Sequence, residues 1–249
     1  MRITWHISKR DIQLLTKFVQ EHRDNPFVRR RIQKNLSKHH VQVRKERFWY
    51  AMILCLVTTQ QRSGPDSLVS KFLTETPFPL RYSVCKTQRQ LRSFAQRVLS
   101  KYHLRRSTKI AAEVDANWQI ISSNDWLRVR SRLGSLKSRV TSKEEREVAN
   151  FLAATFKGLG PKQSRNLLQH LGLTRYEIPL DSRITRWLND FGFPFVLSSK
   201  ALADPNFYEV VSDGIQLLCK KAGVYPCVLD AAIFSSYDDG KWDDSKIVF

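Results

Sequence analysis

The chain has 249 residues, 42% of them apolar, which suffices for one large domain or two small ones built on a real core. Its 42 lysines and arginines outnumber 23 acidic residues and leave a formal charge of +19, so a polyanion is attracted whatever the fold, and nucleic acid is the leading partner. A membrane fits poorly, because no apolar run reaches about 18 residues and the basic residues do not flank a single amphipathic helix.

In chain order, MRITWHISKRD lacks the apolar core of a signal peptide, and a short strand is expected near Arg2 to His6. Ser8 with Asp11 reads as a capping box, after which Ile12, Leu14, Leu15, Phe18 and Val19 form one apolar face. Residues 24 to 45 are strongly cationic, with Phe27, Val28, Ile32 and Leu36 at helical intervals, as in a DNA-facing or connecting helix. His39 and His40 have no second ligand pair and read as a solvated basic segment.

From Glu46 to about Thr59 the string ERFWYAMILCLVTT is nearly all apolar, which suits a helix buried on most sides and ending in the polar turn QQRSGP. Further helices are expected over 65–74, 87–102, 105–121, 124–133 and 142–156, the last opened by Thr141 and Ser142, with Glu144 and Glu145 against its dipole. The fold class is therefore all-α. Cys55, Cys85, Cys219 and Cys227 lie in no metal-binding spacing and read as buried, reduced thiols of an intracellular protein.

The stretch FKGLGPKQSRNLLQHLGLTRYEIPLDSR, 156 to 183, spends two of nine glycines directly before Lys162. Gly158 can take the positive φ that ends a helix, and Pro161 suits the first turn of the next, giving a helix, a tight GLG hairpin and a helix. Without side chains at Gly158 and Gly160, backbone N–H groups can approach a phosphate, and the following helix adds its dipole. That helix is about 15 Å long, and the segment 172 to 180 spans about 30 Å when extended, so the chain can return and set Asp181 beside Lys162. Asp181 also precedes SRITRWLNDF, where it is placed as an N-cap.

GLGPK, a helix and then LDSRITRWL together resemble the helix-hairpin-helix and Gly/Pro-Asp signature of the DNA glycosylase superfamily, which includes endonuclease III and the 8-oxoguanine DNA glycosylase/AP lyases. GLGPKQSRNLL is most similar to the 8-oxoguanine branch. AMILCLVTTQQRS also resembles the place where family members end a buried helix in a loop that enters the duplex, so the likeness covers roughly residues 45 to 190.

The resemblance implies specific roles. Lys162 aligns with the lysine that attacks C1′ of the damaged nucleotide, and Asp181 with the aspartate that stabilises the developing positive charge. Gln60 falls where a side chain wedges into the gap left by the flipped base, with Gln61 and Arg62 near the orphaned strand. Lys157, Gly158, Leu159 and Gly160 form the hairpin that grips the backbone of double-stranded DNA. It also implies two lobes, a helical barrel over 44–160 and a second lobe from 1–43 and 161–249, with the site between them in a monomer associated with the nucleoid of the cytoplasm.

Endonuclease III relatives usually place four cysteines in a compact loop after the aspartate helix. Only Cys219 and Cys227 lie there, so no iron-sulfur cluster or other cofactor is expected. Asp238, Asp239, Asp243 and Asp244 lack calcium-loop spacing, and Phe249 departs from the C-terminal lysine that archaeal 8-oxoguanine enzymes use in base recognition. The same machinery suits removal of a hypermodified base, such as a glucosylated cytosine of phage DNA, as a defence. A purely DNA-binding helix-hairpin-helix protein is the non-enzymatic alternative.

Overall fold

A computed structural model of the chain describes residues 4–37, 43–64, 66–137 and 140–237. His39, His40, Asp238, Asp239, Trp242, Asp243, Asp244 and Phe249 lie outside the described residues. Every regular element among the described residues is helical. The strand expected near the amino terminus is not there: residues 4–8 are irregular, and residues 1–3 lie outside the described range. A strand needs a partner to take its backbone hydrogen bonds. This segment is held instead by Trp5, whose ring packs 5.2 Å from Phe193 and lies so close to Gly214 that a Cβ there would come within 2.9 Å.

Helix α1 (Lys9–His22) starts at the expected capping box: Asp11 N–H donates to Ser8 Oγ at 3.1 Å, and Ser8 N–H to Asp11 Oδ2 at 2.8 Å. Helix α2 (Pro26–Leu36) is shorter than the cationic run that suggested it, ending at Ser37. It buries Phe27, Val28, Arg31 and Asn35 on one face and leaves Arg29, Arg30 and Gln33 exposed on the other.

Helix α3 (Lys45–Val57) buries nine of its thirteen residues, Trp49, Met52 and Ile53 completely. At about 1.5–3 kcal/mol for each large apolar side chain removed from water, this helix is the keel of the first core. Around it stand α4 (Leu68–Thr74), α5 (Tyr82–Cys85), α6 (Leu91–Lys101), α7 (Ser107–Ser122), α8 (Asp125–Gly134) and α9 (Ser142–Thr155). Helix α4 opens only at Leu68, where Ser67 caps the Ser70 N–H. Helix α6 opens at Leu91, and the sequence reading passed over the short α5 before it.

The remaining helices are α10 (Pro161–Leu171), α11 (Ser182–Phe191), α12 (Pro205–Ala222) and α13 (Pro226–Ser236). With α1 and α2, the last three enclose a second core that includes Leu15, Val28, Leu188, Val211 and Ile233. Helix α10 is the wall between the two cores. Leu167, Leu168 and Leu171 join the first core, while the buried Gln163, Arg165 and Gln169 lie on its other sides. A helix with one apolar and one hydrogen-bonding buried face can stand between two bodies only if its polar groups find partners.

Arg165 finds Glu177, donating from Nε to Oε2 at 2.8 Å, and lies 4.9 Å over the Tyr208 ring. Glu177 also takes Arg146 Nε at 3.0 Å and Gln216 Nε2 at 2.8 Å. The buried Glu145 carboxylate accepts from the Thr174 hydroxyl and from the N–H groups of Arg175, Tyr176 and Glu177. Burial pushes its carboxyl upward, and those hydrogen bonds pull it back. Two buried carboxylates thus fix the segment 172 to 180, which carries the chain from the end of α10 back to its start.

Candidate active site

The site begins at the hairpin. Helix α9 ends at Thr155, Gly158 takes φ +80°, and Gly160 is the extended residue preceding Pro161 at the first position of α10. Asn117 of α7 clamps the turn from both sides: its Oδ1 accepts from Lys157 N–H at 2.8 Å, and its Nδ2 donates to the Lys157 carbonyl at 2.9 Å. A Cβ at Gly158 would meet Leu56 Cδ2 at 2.6 Å and the Glu113 carboxyl at 2.8 Å. Gly158→Ala is therefore expected to lose about 1–2 kcal/mol from the positive φ alone, with the clash in addition, and to weaken DNA retention in a shift assay. Urea denaturation measures the first effect.

Beside the hairpin runs a groove of about 390 Å³ lined by Thr59, Arg106, Lys109, Lys157, Gly158 and Gly160, among others. Arg106 is left-handed, with φ 60°, at the start of α7, and its Nη1 is buried without a hydrogen-bond partner among the described residues. Glu113 also faces the groove, where burial raises its carboxyl against the opposing pull of Arg106 and Lys109. Lys157, Gly158 and Gly160 are exposed, but Leu159 is buried in the first core, so only its backbone is available to a partner.

Lys162 lies in the first turn of α10 and makes no hydrogen bond or ion pair with the described residues. The return segment ends at Asp181, which caps α11: Oδ1 accepts from Arg183 N–H at 2.9 Å and Ile184 N–H at 3.1 Å. Its other oxygen, Oδ2, takes no hydrogen bond from the described residues. Lys162 and Asp181 line one cavity at the junction of the two cores, together with Arg31, Asn166, Asp230 and Phe234 among others. Its volume is about 60 Å³.

The walls of that cavity combine apolar and ionic surfaces. The rings of Phe27 and Phe234 stack at 4.9 Å with an interplanar angle of 19°, and the Arg183 guanidinium lies 3.9 Å over Phe234. Arg31 donates to Gln169 Oε1 and, at 3.5 Å, to Asp230 Oδ2, which also accepts from Gln169 Nε2 at 3.0 Å. Burial raises the Asp230 carboxyl to about 6 against the pull of Arg31. Burial pushes His170 well down, assisted by Lys34 and Arg31, and lowers the Lys34 amine to about 7, with Arg31, Arg47 and Arg30 adding to it. Cys55 sits fully buried beneath the site, its thiol raised by burial and opposed by Lys162.

The expected wedge loop follows α3. Gln60 is exposed and held at φ 59°, a backbone conformation uncommon outside glycine, and Arg62 is exposed beside it. Gln61 is turned inward: its Nε2 donates to the Val57 carbonyl and its Oε1 accepts from Arg105 N–H at 3.0 Å, tying the loop to the start of the α7 region. Gln163 ties the same end of α3 to α10, donating to Thr59 Oγ1 at 2.6 Å. Sequence reasoning missed Arg31, Gln169 and Asp230. The signal for Asp230 was present, because it is the single charged residue in the run YPCVLDAAIF.

No protein-family model matches the sequence, and no curated protein matches it, but solved structures do. The chain shares its all-α fold with solved 8-oxoguanine DNA glycosylases. Among them, the 8-oxoguanine DNA glycosylase of Methanocaldococcus jannaschii superposes with a TM-score of 0.70 over 93% of this chain and 96% of that one, at 15% identity. That archaeal glycosylase/lyase in complex with a 15mer DNA containing 8-oxoguanine gives 0.69 over 91% and 98%, at 16% identity. The 8-oxoguanine DNA glycosylase of Thermotoga maritima gives 0.68 over 94% and 100%, also at 16% identity. Among the described residues, no cluster of His, Cys, Asp or Glu could hold a metal ion, and no helix is long and apolar enough to cross a membrane.

Proposed function

We propose that the protein is a DNA glycosylase with AP lyase chemistry, which excises a modified base extruded from double-stranded DNA, with 8-oxoguanine as the leading substrate. The observation that carries this reading is that Lys162 and Asp181, nineteen residues apart, line one cavity beside a glycine hairpin on a strongly basic chain. Backbone N–H groups at Gly158 and Gly160, with the dipole of α10, grip a phosphate of the damaged strand. Arg106 and Lys109, which line the same groove, add positive charge to this grip.

Base extrusion costs a few kcal/mol, which phosphate contacts and the Gln60 wedge offset, while Arg62 faces the strand left unpaired. Lys162 then attacks C1′ through its amine nitrogen, a step that only the deprotonated amine can take, and Asp181 Oδ2 stabilises the oxocarbenium character that builds on the sugar. The resulting Schiff base permits β-elimination and strand scission. That the Methanocaldococcus jannaschii enzyme was solved on DNA containing 8-oxoguanine makes this base the first probe.

The test is incubation with duplexes carrying different modified bases, including 8-oxoguanine and glucosylated cytosine, followed by mass spectrometry of released bases. Free 8-oxoguanine with nicked product is the expected outcome. DNA retention with neither free base nor abasic sites from any duplex reduces the protein to a binding module.

A further inference from the structure

Helix α13 reads PCVLDAAIFSS, and nine of its eleven residues are buried, Asp230 among them. An ionisable group in the middle of an otherwise apolar buried helix is costly, so it calls for a reason. Its two hydrogen bonds, from Gln169 and Arg31, both end on Oδ2. Oδ1 takes none from the described residues and is the oxygen left for an occupant of the cavity that Asp230 shares with Lys162 and Asp181.

The two carboxyl groups of this cavity differ in surroundings. Asp181 is partly exposed and already acts as an acceptor for two backbone amides. Asp230 is 6% exposed, and burial raises its carboxyl to about 6, so it holds a proton far more readily than an ordinary aspartate. One carboxylate as electrostatic stabiliser and one carboxylic acid as proton donor is the division by which paired carboxyls cleave glycosidic bonds.

Resting on the glycosylase reading above, we propose that Asp230 is the general acid that protonates the departing base. In that step the C1′–N bond to the base breaks and its electron pair goes to the base, which takes the proton from Asp230. The Lys162 nitrogen forms the new bond to C1′ and becomes a secondary ammonium, so the lost and gained charges balance. Asp230 is left as a carboxylate beside Arg31, which compensates it.

The groups facing Asp230 come from every side. They are Arg31 on α2, Lys162 and His170 on α10, Asp181 at the head of α11, Tyr208 on α12 and Cys227 on α13 itself. The buried residues of α1 are Leu15 and Val19, which carry no charge. An acid must be protonated to act, so base release falls as pH rises through its titration.

The experiment is single-turnover base release by wild type, Asp230→Asn and Asp230→Glu from about pH 5 to about pH 9 on the 8-oxoguanine duplex, or on whichever panel duplex the wild type acts on. Affinity for a duplex carrying a tetrahydrofuran abasic analogue, which has no base to protonate, is measured beside it. Asp230→Asn is expected to lose about 100-fold or more of base release near pH 6 and to become flat with pH, while abasic affinity stays within about threefold. Asp230→Glu is expected to keep a falling alkaline limb at a displaced pH, which serves if the asparagine variant does not fold. A wild-type pH profile in Asp230→Asn, a parallel loss of abasic affinity, or no displacement in Asp230→Glu overturns the assignment. Wild-type protein that releases no base from any duplex removes the glycosylase reading itself, and this is seen before any variant is made.

Discussion

Lys162→Ala is expected to abolish the borohydride-trapped covalent adduct and strand scission, and to slow base release by between about 10³- and 10⁶-fold, as removal of a catalytic nucleophile does. The variant is clean because Lys162 makes no hydrogen bond or ion pair with the described residues, so its removal is expected to change stability by no more than about 0.5 kcal/mol. DNA affinity should fall only by what one cation contributes on a chain of charge +19. Trapping on a duplex with an abasic site, followed by peptide mapping, checks it. An adduct on another residue, or none in the wild type while base is still released, would replace the lyase chemistry with simple hydrolysis.

The second large effect is expected at Asp181. Asparagine caps a helix about as well as aspartate, so Asp181→Asn keeps the hydrogen bonds to Arg183 and Ile184 and leaves α11 in place. What it removes is the negative charge on Oδ2. Base release should fall by about 10²- to 10³-fold, the usual cost of deleting one preorganised electrostatic group, while DNA binds as well as before or better because a like charge has gone. Unchanged turnover in a single-turnover assay would remove Asp181 from the mechanism.

Much of the fold could be read because its signals are local. Ser8 with Asp11 is a capping box three residues wide and closes as the sequence implies, and the helix start expected at Thr141 is there, closed by a second box with Glu144. The near-continuous apolar string after Glu46 could only be a central helix, and it is. Where the sequence misled, a distant partner had decided the outcome. Within the cationic run after Asp24, read as a DNA-facing or connecting helix, Arg31 turns inward to Gln169 and Asp230, 138 and 199 residues away. Trp5 could have joined a strand but packs instead against Phe193 and Gly214.

The candidate site divides in the same way. The turn chemistry of Gly158 and the capping role of Asp181 follow from neighbours in sequence, so they were legible. The inward turn of the Gln61 amide depends on Arg105, and the ionic wall of the cavity depends on α2 and α13 arriving from opposite ends of the chain. No window of sequence contains those facts.

The cavity of about 60 Å³ has a kinetic consequence. Its walls include the stacked rings of Phe27 and Phe234, and Lys162 at its edge is half-buried. On the proposed reading an entering nucleobase spreads that aromatic pair, so substitutions that loosen it are expected to change the rate of base release more than DNA affinity.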